Sequence, residues 1–350
     1  MSAPIIETDK WVSSDYDMII DVRSPSEFAD DHIPGAVNMP VLSDEERAEI
    51  GTIYKQQSAY LARKKGAVMA ARNIAAHIES KLQDKEPRFS PLIHCWRGGQ
   101  RSRSFATVCS EIGWKTYTLI GGYKSYRRAV LKGLEDIPAT LSYIVIAGRT
   151  GSGKTDILTE LTQKGAQVLD LENLAAHRGS LLGRMEDRPQ PSQRYFESSL
   201  FAEIFNFDAA LPVYVESESS RIGDIQLPSD IWKQIVAAPM ISINASRTAR
   251  AEYLLDGYKG LTEDLSDLQK LVSGMVRRHG HERTNIWQGL IETENWQDLA
   301  VDLLETHYDP AYDKSILRHD RKLLAEITQQ DCTPESLAST AGDILKLENR

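Results

Sequence analysis

The sequence predicts an α/β protein built on parallel sheets, with a helical part at its C-terminal end, and three stretches carry that prediction. In the first, the apolar run Leu92-Ile93-His94 ends in Cys95 and enters the loop Trp96-Arg97-Gly98-Gly99-Gln100-Arg101-Ser102. In the second, Tyr143-Ile144-Val145-Ile146-Ala147 feeds Gly148-Arg149-Thr150-Gly151-Ser152-Gly153-Lys154-Thr155 and a helix through Leu161, the strand, loop and helix order of a phosphate-binding P-loop. In the third, the apolar runs 168–169 and 211–215 each end in an acid, Asp170 and Glu216, at the strand end where ligands meet parallel sheets. The expected organisation is an α/β domain over 12–135 and a P-loop NTPase-like parallel-sheet domain over 140–250. A helical C-terminal extension over 250–350 is expected to pack on the second domain.

In chain order, residues 18–22 read as a buried strand, and Ser24-Pro25 as the helix start that follows it. Pro34-Gly35 stops that helix, and 36–39 pairs again as a strand. Helix formers fill 43–82, predicting two or three helices broken near Gly51 and Gly66. After the strand 92–94 and its loop, a helix is expected from Ser104, ended by Gly113, then a strand over 115–120 closed by Gly121-Gly122. Residues 133–142 read as the junction between domains. Residues 241–243 make another strand, 249–327 is mostly helical, and the tail from Thr333 is expected as a polar helix ending free.

A chain of 350 residues is long enough for two cores, and 41% apolar with 26% charged residues is ordinary for a soluble protein. No apolar run approaches the roughly 20 residues of a spanning helix, so no membrane partner is expected. Three cysteines without framework spacing suit a reducing, cytoplasmic setting. The net charge of −9 argues against non-specific nucleic-acid binding by the surface as a whole, yet residues 95–132 carry eight cations against the single acid Glu111. Arg103, Lys124, Arg127 and Arg128 belong to that run, and Arg178 to a later mixed cluster.

The Cys95 loop joins a nucleophile to an anion cradle. Trp96, Arg97, Gly98, Gly99, Gln100 and Arg101 would bind the anion: several backbone N–H groups of the loop and the helix start near Ser104 favour the thiolate, and the guanidinium groups of Arg97 and Arg101 are expected to add positive charge. Cys109, inside an apolar helical run, reads as core. In the second loop, Gly148, Gly151, Ser152 and Gly153 would wrap a diphosphate, Lys154 would reach its terminal phosphates, and Thr155 would hold Mg²⁺ if any metal binds. Asp170 and Glu216 are candidates for metal or water contacts, with helix capping as the simpler role.

The first domain resembles the rhodanese fold. Asp21-Val22-Arg23-Ser24-Pro25-Ser26-Glu27-Phe28, His32-Ile33-Pro34-Gly35-Ala36-Val37-Asn38, the Cys95 loop and Leu119-Ile120-Gly121-Gly122 follow in that fold's order. Joined to a P-loop domain, it looks like the bacterial tRNA 2-selenouridine synthases, through Ser43-Asp44-Glu45-Glu46-Arg47, Tyr54-Lys55-Gln56, Gly121-Gly122-Tyr123-Lys124, His177-Arg178-Gly179-Ser180, Gln190-Pro191-Ser192-Gln193 and Tyr308-Asp309-Pro310. The resemblance implies exchange of sulfur for selenium on 2-thiouridine at the tRNA wobble position, with selenophosphate as donor. It also implies transfer of a geranyl group to that sulfur from geranyl diphosphate. On this reading Cys95 attacks selenium while Arg97, Arg101 and the loop amides neutralise the leaving phosphate. Trp96 stacks on the extruded base, or packs in the core; Tyr123 and Lys124 touch substrate; the basic run guides tRNA. An enzyme producing selenophosphate is an expected partner. The P-loop has three candidate ligands, a regulatory nucleotide, geranyl diphosphate and tRNA phosphate, the expected occupant being an anionic diphosphate.

Two readings of other classes compete. His94-Cys95, five residues and Arg101-Ser102 also fit a cysteine-dependent phosphatase, which needs an acid for which Asp136 is the one candidate after Cys95. A non-enzymatic, nucleotide-gated adaptor carrying persulfide would need no tRNA affinity.

Overall fold

A computed structural model describes residues 2–177, 188–217, 219–257, 265–316 and 320–347, and Arg178 lies outside them. The chain begins β1 (Ile5–Thr8), β2 (Met18–Asp21), α1 (Pro25–Asp30), β3 (Val37–Asn38), α2 (Asp44–Gln56), α3 (Ala59–His77), β4 (Pro91–His94), α4 (Gln100–Ile112), β5 (Thr116–Leu119) and α5 (Gly122–Asp136). It continues with β6 (Ser142–Gly148), α6 (Lys154–Gln163), β7 (Gln167–Leu169), α7 (Leu171–Ala175), α8 (Gln193–Phe205), β8 (Pro212–Glu216), β9 (Arg221–Ile222), β10 (Ile225–Gln226) and α9 (Ser229–Ala237). It ends with β11 (Met240–Ala245), α10 (Arg247–Gly257), α11 (Leu265–Gly274), α12 (Val276–Glu292), α13 (Trp296–Leu303), α14 (Asp309–Ile316), β12 (Leu323–Gln329) and α15 (Pro334–Leu347).

Two compact units result. The first comprises Met1–Ile137 with Leu174–Asn206 and Arg221–Pro228. Its sheet runs β1-β5-β4-β2-β3, all parallel, so the strand leading to Cys95 is the middle one of five. All four residues of β4 are buried, and Ile93 packs in one cluster with Ile20, Val22, Phe105 and Cys109. The second unit comprises Pro138–Asn173, Phe207–Ser220 and Ser229–Arg350, with parallel order β12-β11-β6-β8-β7. There β6, which leads to the P-loop, is again the middle strand. Both loops therefore leave the carboxyl end of a central parallel strand, where side chains from neighbouring loops converge.

Several expectations are corrected. A first strand, Ile5–Thr8, precedes the expected domain start at residue 12 and pairs with β5 along the sheet edge. Residues Leu174–Asn206 and Arg221–Pro228 group with the first unit, not the P-loop unit, because α8 packs on α5, where a Cβ on Gly133 would meet the Phe201 ring. Gly51 and Gly66 do not break helices. The break comes at Ser58, whose Oγ caps the amides of Tyr60 and Leu61 at 3.2 and 3.5 Å, while Gly66 sits where α3 closes on Ile50. A glycine costs a helix interior only about 1 kcal/mol, which packing readily outweighs. Helix α4 starts at Gln100 rather than near Ser104, because Gly98 at φ +67° completes the turn early.

The C-terminal part is not wholly helical. Leu323–Gln329 pairs in parallel with β11 as an edge strand, its partly buried Ala325 and Ile327 two residues apart. Nor does the last helix end free: Leu337, Ala341 and Ile344 of α15 are buried against α6 at helical spacing. A side chain on Gly153 would strike Leu337, so this helix backs the phosphate loop.

Candidate active site

The buried strand β4 delivers Cys95 to the loop with its side chain 3% exposed. The backbone there is pinned to the following strand–helix turn. The amides of Tyr123 and Lys124 donate to the carbonyls of Cys95 and Trp96 at 2.8 and 3.0 Å. Gly122, at φ +59°, can carry no side chain: a Cβ would lie 2.6 Å from Gly98 N and 2.9 Å from Arg97 N and would strike the Cys95 carbonyl.

The sulfur is ringed by donors. Gly99 N lies 3.2 Å and Ser102 Oγ 3.3 Å from Cys95 Sγ. Burial alone would push this thiol up, but the Ser102 hydroxyl and the amides of Arg97, Ser102 and Gly99 outweigh it and hold the pKa below the ordinary thiol value. In contrast, burial pushes Cys109 up to about 12 and Cys332 to about 11.

The expected guanidinium contribution is corrected in part. Arg101 donates to Glu27 Oε2 at 2.8 Å, and Arg47 Nε approaches the same oxygen at 3.1 Å, so the Arg101 charge is already matched. Despite partial burial, these partners hold the Glu27 carboxyl below its usual range, Arg101 leading. Arg97, Gly98, Gly99 and Gln100 are exposed on the loop. Sequence reasoning left Ser102 and Glu27 out of the site; Glu27 lies 74 residues before Arg101, and no local pattern joins them.

Tyr123 is not a surface residue. At 2% exposure it donates to Asp31 Oδ2 at 2.6 Å, and Arg23 stacks 3.9 Å from its ring centroid. Arg23 also grips Asp21 through Nε and Nη2, the latter at 2.6 Å, and donates to the Asp31 carbonyl at 2.6 Å. His94, fully buried, has Nε2 3.8 Å from Asp21 Oδ2, and burial holds it well below the usual histidine range. This charged layer beneath the loop fixes the floor on which Cys95 and Trp96 sit. Trp96 is half-buried, its ring 5.2 Å from that of Tyr123.

Of the basic run, Arg127 is spoken for by Glu197 and by Asp31 at 3.6 Å. Lys132 pairs with Asp136 at 2.8 Å, and Asp136 ends α5, about 20 Å along the helix from the Tyr123 turn beside Cys95. Arg103, Lys124 and Arg128 are exposed.

In the second unit, Gly151 and Gly153 adopt φ +83° and +72°, and Ser152 is buried between them. Lys154 opens α6 with its ammonium 2.8 Å from the Gly148 carbonyl, bent back over the loop. Thr155 Oγ1 lies 3.4 Å from Glu172 Oε2. Glu216 Oε1 accepts from Glu172 N at 2.8 Å and Asp170 Oδ1 from Asn173 N at 2.8 Å, so both strand-end acids bond amides of the short helix α7. The buried Arg250 is held by Asp309 at 2.8 and 2.9 Å and bonds the Thr150 carbonyl at 3.1 Å, tying the loop to α10 and α14.

Comparison with known proteins adds the family. A family model described as the tRNA 2-selenouridine synthase AAA domain matches residues 141–340, and one for the rhodanese-like domain matches residues 5–129. A tRNA 2-selenouridine synthase of Bdellovibrio bacteriovorus is 37% identical over 245 residues, 69% of this chain and 64% of that protein. One of Nitrosomonas europaea is 34% identical over 72% of this chain and 66% of its own length. These two matches span just under two thirds of the relatives concerned. A third, from Sulfurovum sp. (strain NBC37-1), is 31% identical over 337 residues, covering 87% of this chain and 90% of the relative. Since that similarity covers most of both chains and the family model spans more than half of this one, this chain belongs to the tRNA 2-selenouridine synthase family.

Proposed function

We propose that this chain is a tRNA-modifying transferase that replaces sulfur by selenium at a wobble 2-thiouridine, with selenophosphate as donor and geranyl transfer to the sulfur as a linked activity. The observation that carries the reading is the Cys95 sulfur, held toward the thiolate by a hydroxyl and three amides within a family of tRNA 2-selenouridine synthases. Cytoplasmic location and supply by a selenophosphate-producing enzyme follow from the same reading.

Electron balance constrains what Cys95 does. A thiolate that took selenium directly from selenophosphate would leave phosphorus as phosphite, so the direct attack expected from the sequence cannot release phosphate. A balanced route uses the thiolate at carbon. Cys95 Sγ attacks C2 of the S-geranylated base and expels geranyl thiolate; the selenium of selenophosphate then displaces Cys95 from C2. Water cleaves the Se–P bond, releasing phosphate and leaving the selenocarbonyl. The ring of donors that favours the thiolate makes Cys95 both attacking and leaving group, and the same amides with Arg97 suit the anionic donor. Trp96 offers a stacking face for the base.

In the second unit, the P-loop is assigned to a diphosphate, for which Gly148, Gly151, Ser152, Gly153, Lys154 and Thr155 supply amides, an ammonium and a hydroxyl. Thr155 and Glu172 are hard oxygen donors of the kind Mg²⁺ takes when it accompanies a diphosphate. Purified chain, 2-thiouridine tRNA, selenophosphate and geranyl diphosphate should yield 2-selenouridine by nucleoside analysis, and Cys95→Ala should reduce it to background. Wild-type turnover by Cys95→Ala would sink the proposal. Lys154→Ala should weaken geranyl diphosphate binding about tenfold or more, a charge-assisted contact being worth about 1.5–3 kcal/mol; unchanged geranylation would rule out that ligand for the loop.

A further inference from the structure

Helices α2 and α3 form an antiparallel hairpin between β3 and β4, in the same unit as Cys95. Its inner side is apolar: Ile50, Met69, Ala70 and Ile74 pack into the core. From residue 50 to 78 its outer side is basic and free of acids. Residues 50–78 contain no aspartate or glutamate, although the chain holds 50, and they carry Lys55, Arg63, Lys64, Lys65 and Arg72. Four of the protein's large exposed apolar side chains lie on the same stretch: Tyr54 at 62%, Tyr60 at 66%, Leu61 at 48% and Val68 at 58% exposure. Lys65 is paired with Glu49 and Arg63 Nε donates to the Ala59 carbonyl one turn earlier, but Lys55, Lys64 and Arg72 make no ion pair among the described residues. Tyr60, Lys64, Val68 and Arg72 follow at intervals of four and share the outward stripe of α3.

We infer that this outer face of the α2–α3 hairpin is the docking surface for the tRNA substrate, its cations on phosphates and Tyr54 and Tyr60 on exposed bases. The inference rests on the tRNA-modifying reading above and adds where the nucleic acid sits. Cations interleaved with exposed aromatics suit a partly single-stranded polyanion, because phosphates take the charge while any unstacked base offers a face to a ring. The position is also right. Arg47, on the first turns of α2, reaches Glu27, which holds Arg101 of the Cys95 loop. Tyr54 lies seven residues further along α2, about 10 Å of helix rise from Arg47 and on the same side of the helix, so the stripe begins beside the residue that reaches the Cys95 loop. A second copy of the chain fits less well. A symmetric dimer through this face would set unpaired cations against cations with no acid among them.

The test is binding of unmodified bulk tRNA to the full chain across a salt series. Replacing Lys55, Lys64 and Arg72 together by alanine should lower the slope of log K against log salt by about 2–3, close to one per lost phosphate contact. Tyr60→Ala should weaken binding about fivefold or more with the slope unchanged, which loss of charge would not do. Lys124→Ala with Arg128→Ala, on α5, serves as the comparison and should change the slope less. All these side chains are exposed, and a thermal melt checks each fold; the single Lys64→Glu variant repeats the test should the triple one unfold. Wild-type protein that binds no tRNA would overturn the tRNA-modifying reading itself. Wild-type binding that all hairpin variants keep would overturn only the docking surface. Two further results would also overturn it: a dimer in sedimentation that the triple variant dissolves, or phosphatidylserine vesicles binding this face more tightly than tRNA does.

Discussion

Removing the Ser102 hydroxyl isolates how far donors, rather than charges, set the reactivity of Cys95. In Ser102→Ala the sulfur keeps its amide donors but loses an O–H at 3.3 Å. A hydrogen bond to a charged acceptor contributes about 1.5–3 kcal/mol, and a long bond to sulfur belongs at the low end. At about 1.4 kcal/mol the loss raises the thiol pKa by about 1. Below the midpoint the thiolate fraction then falls about tenfold, while each remaining thiolate becomes about threefold more nucleophilic, so the net rate drops about three- to fourfold. The assay is reaction with a small aromatic disulfide followed by absorbance from pH 4 to 9. Cys109 and Cys332, at about 12 and about 11, contribute little thiolate in that range. A rate profile whose midpoint does not move would refute the account, and would return the role to the Arg97 and Arg101 charges.

Gly122→Ala forces a left-handed residue against loop backbone; it should cost more than the roughly 1–2 kcal/mol of the conformation alone, and a melting curve close to wild type would contradict the packing. Arg250→Ala leaves the buried Asp309 with only the distant Arg247 Nε at 3.7 Å and should destabilise the chain by about 3 kcal/mol in urea, whereas Arg250→Met with Asp309→Leu should recover most of that loss. Burial, with Arg278 and His279 close by, pushes His307 down to about 4, and its ring lies 2.8 Å from that of His279. The folded state therefore binds fewer protons than the unfolded one between about pH 6.5 and 4, and stability should fall as pH drops through that window. In His307→Gln that slope should flatten; an unaltered pH dependence of unfolding would show that other groups set it.

Chain order and local pattern carried much of this protein. Apolar runs ending in Cys95 and in the P-loop read as strands because burial on both faces of a parallel sheet demands continuous apolar sequence. Each loop announced itself through glycines and donors within eight residues. Cys109 was legible as core for a similar reason, lying inside an apolar helical run. What such patterns do not contain is the partner of a charge. Arg101 and Arg127 look alike in sequence to Lys124 and Arg128, yet Glu27 and Glu197, each about 70 residues away, engage the first two and leave the others in solvent. Tyr123 sits in a basic, polar stretch and still lies beneath the loop, because Asp31 satisfies its hydroxyl there.

The same limit applies to the elements misplaced from sequence. Leu323–Gln329 becomes a strand through pairing with β11, some 80 residues earlier in the chain, and α15 is held by apolar residues of α6. The descending Leu174–Asn206 stretch joins the first unit through α5. Sequence alone determined which strands end in reactive loops and what chemistry those loops can hold, since both depend on neighbours along the chain. Tertiary structure decided which cations stay free, which donors surround the thiol and which helix face remains uncovered, because burial and charge pairing are set by residues that meet only after the chain has folded.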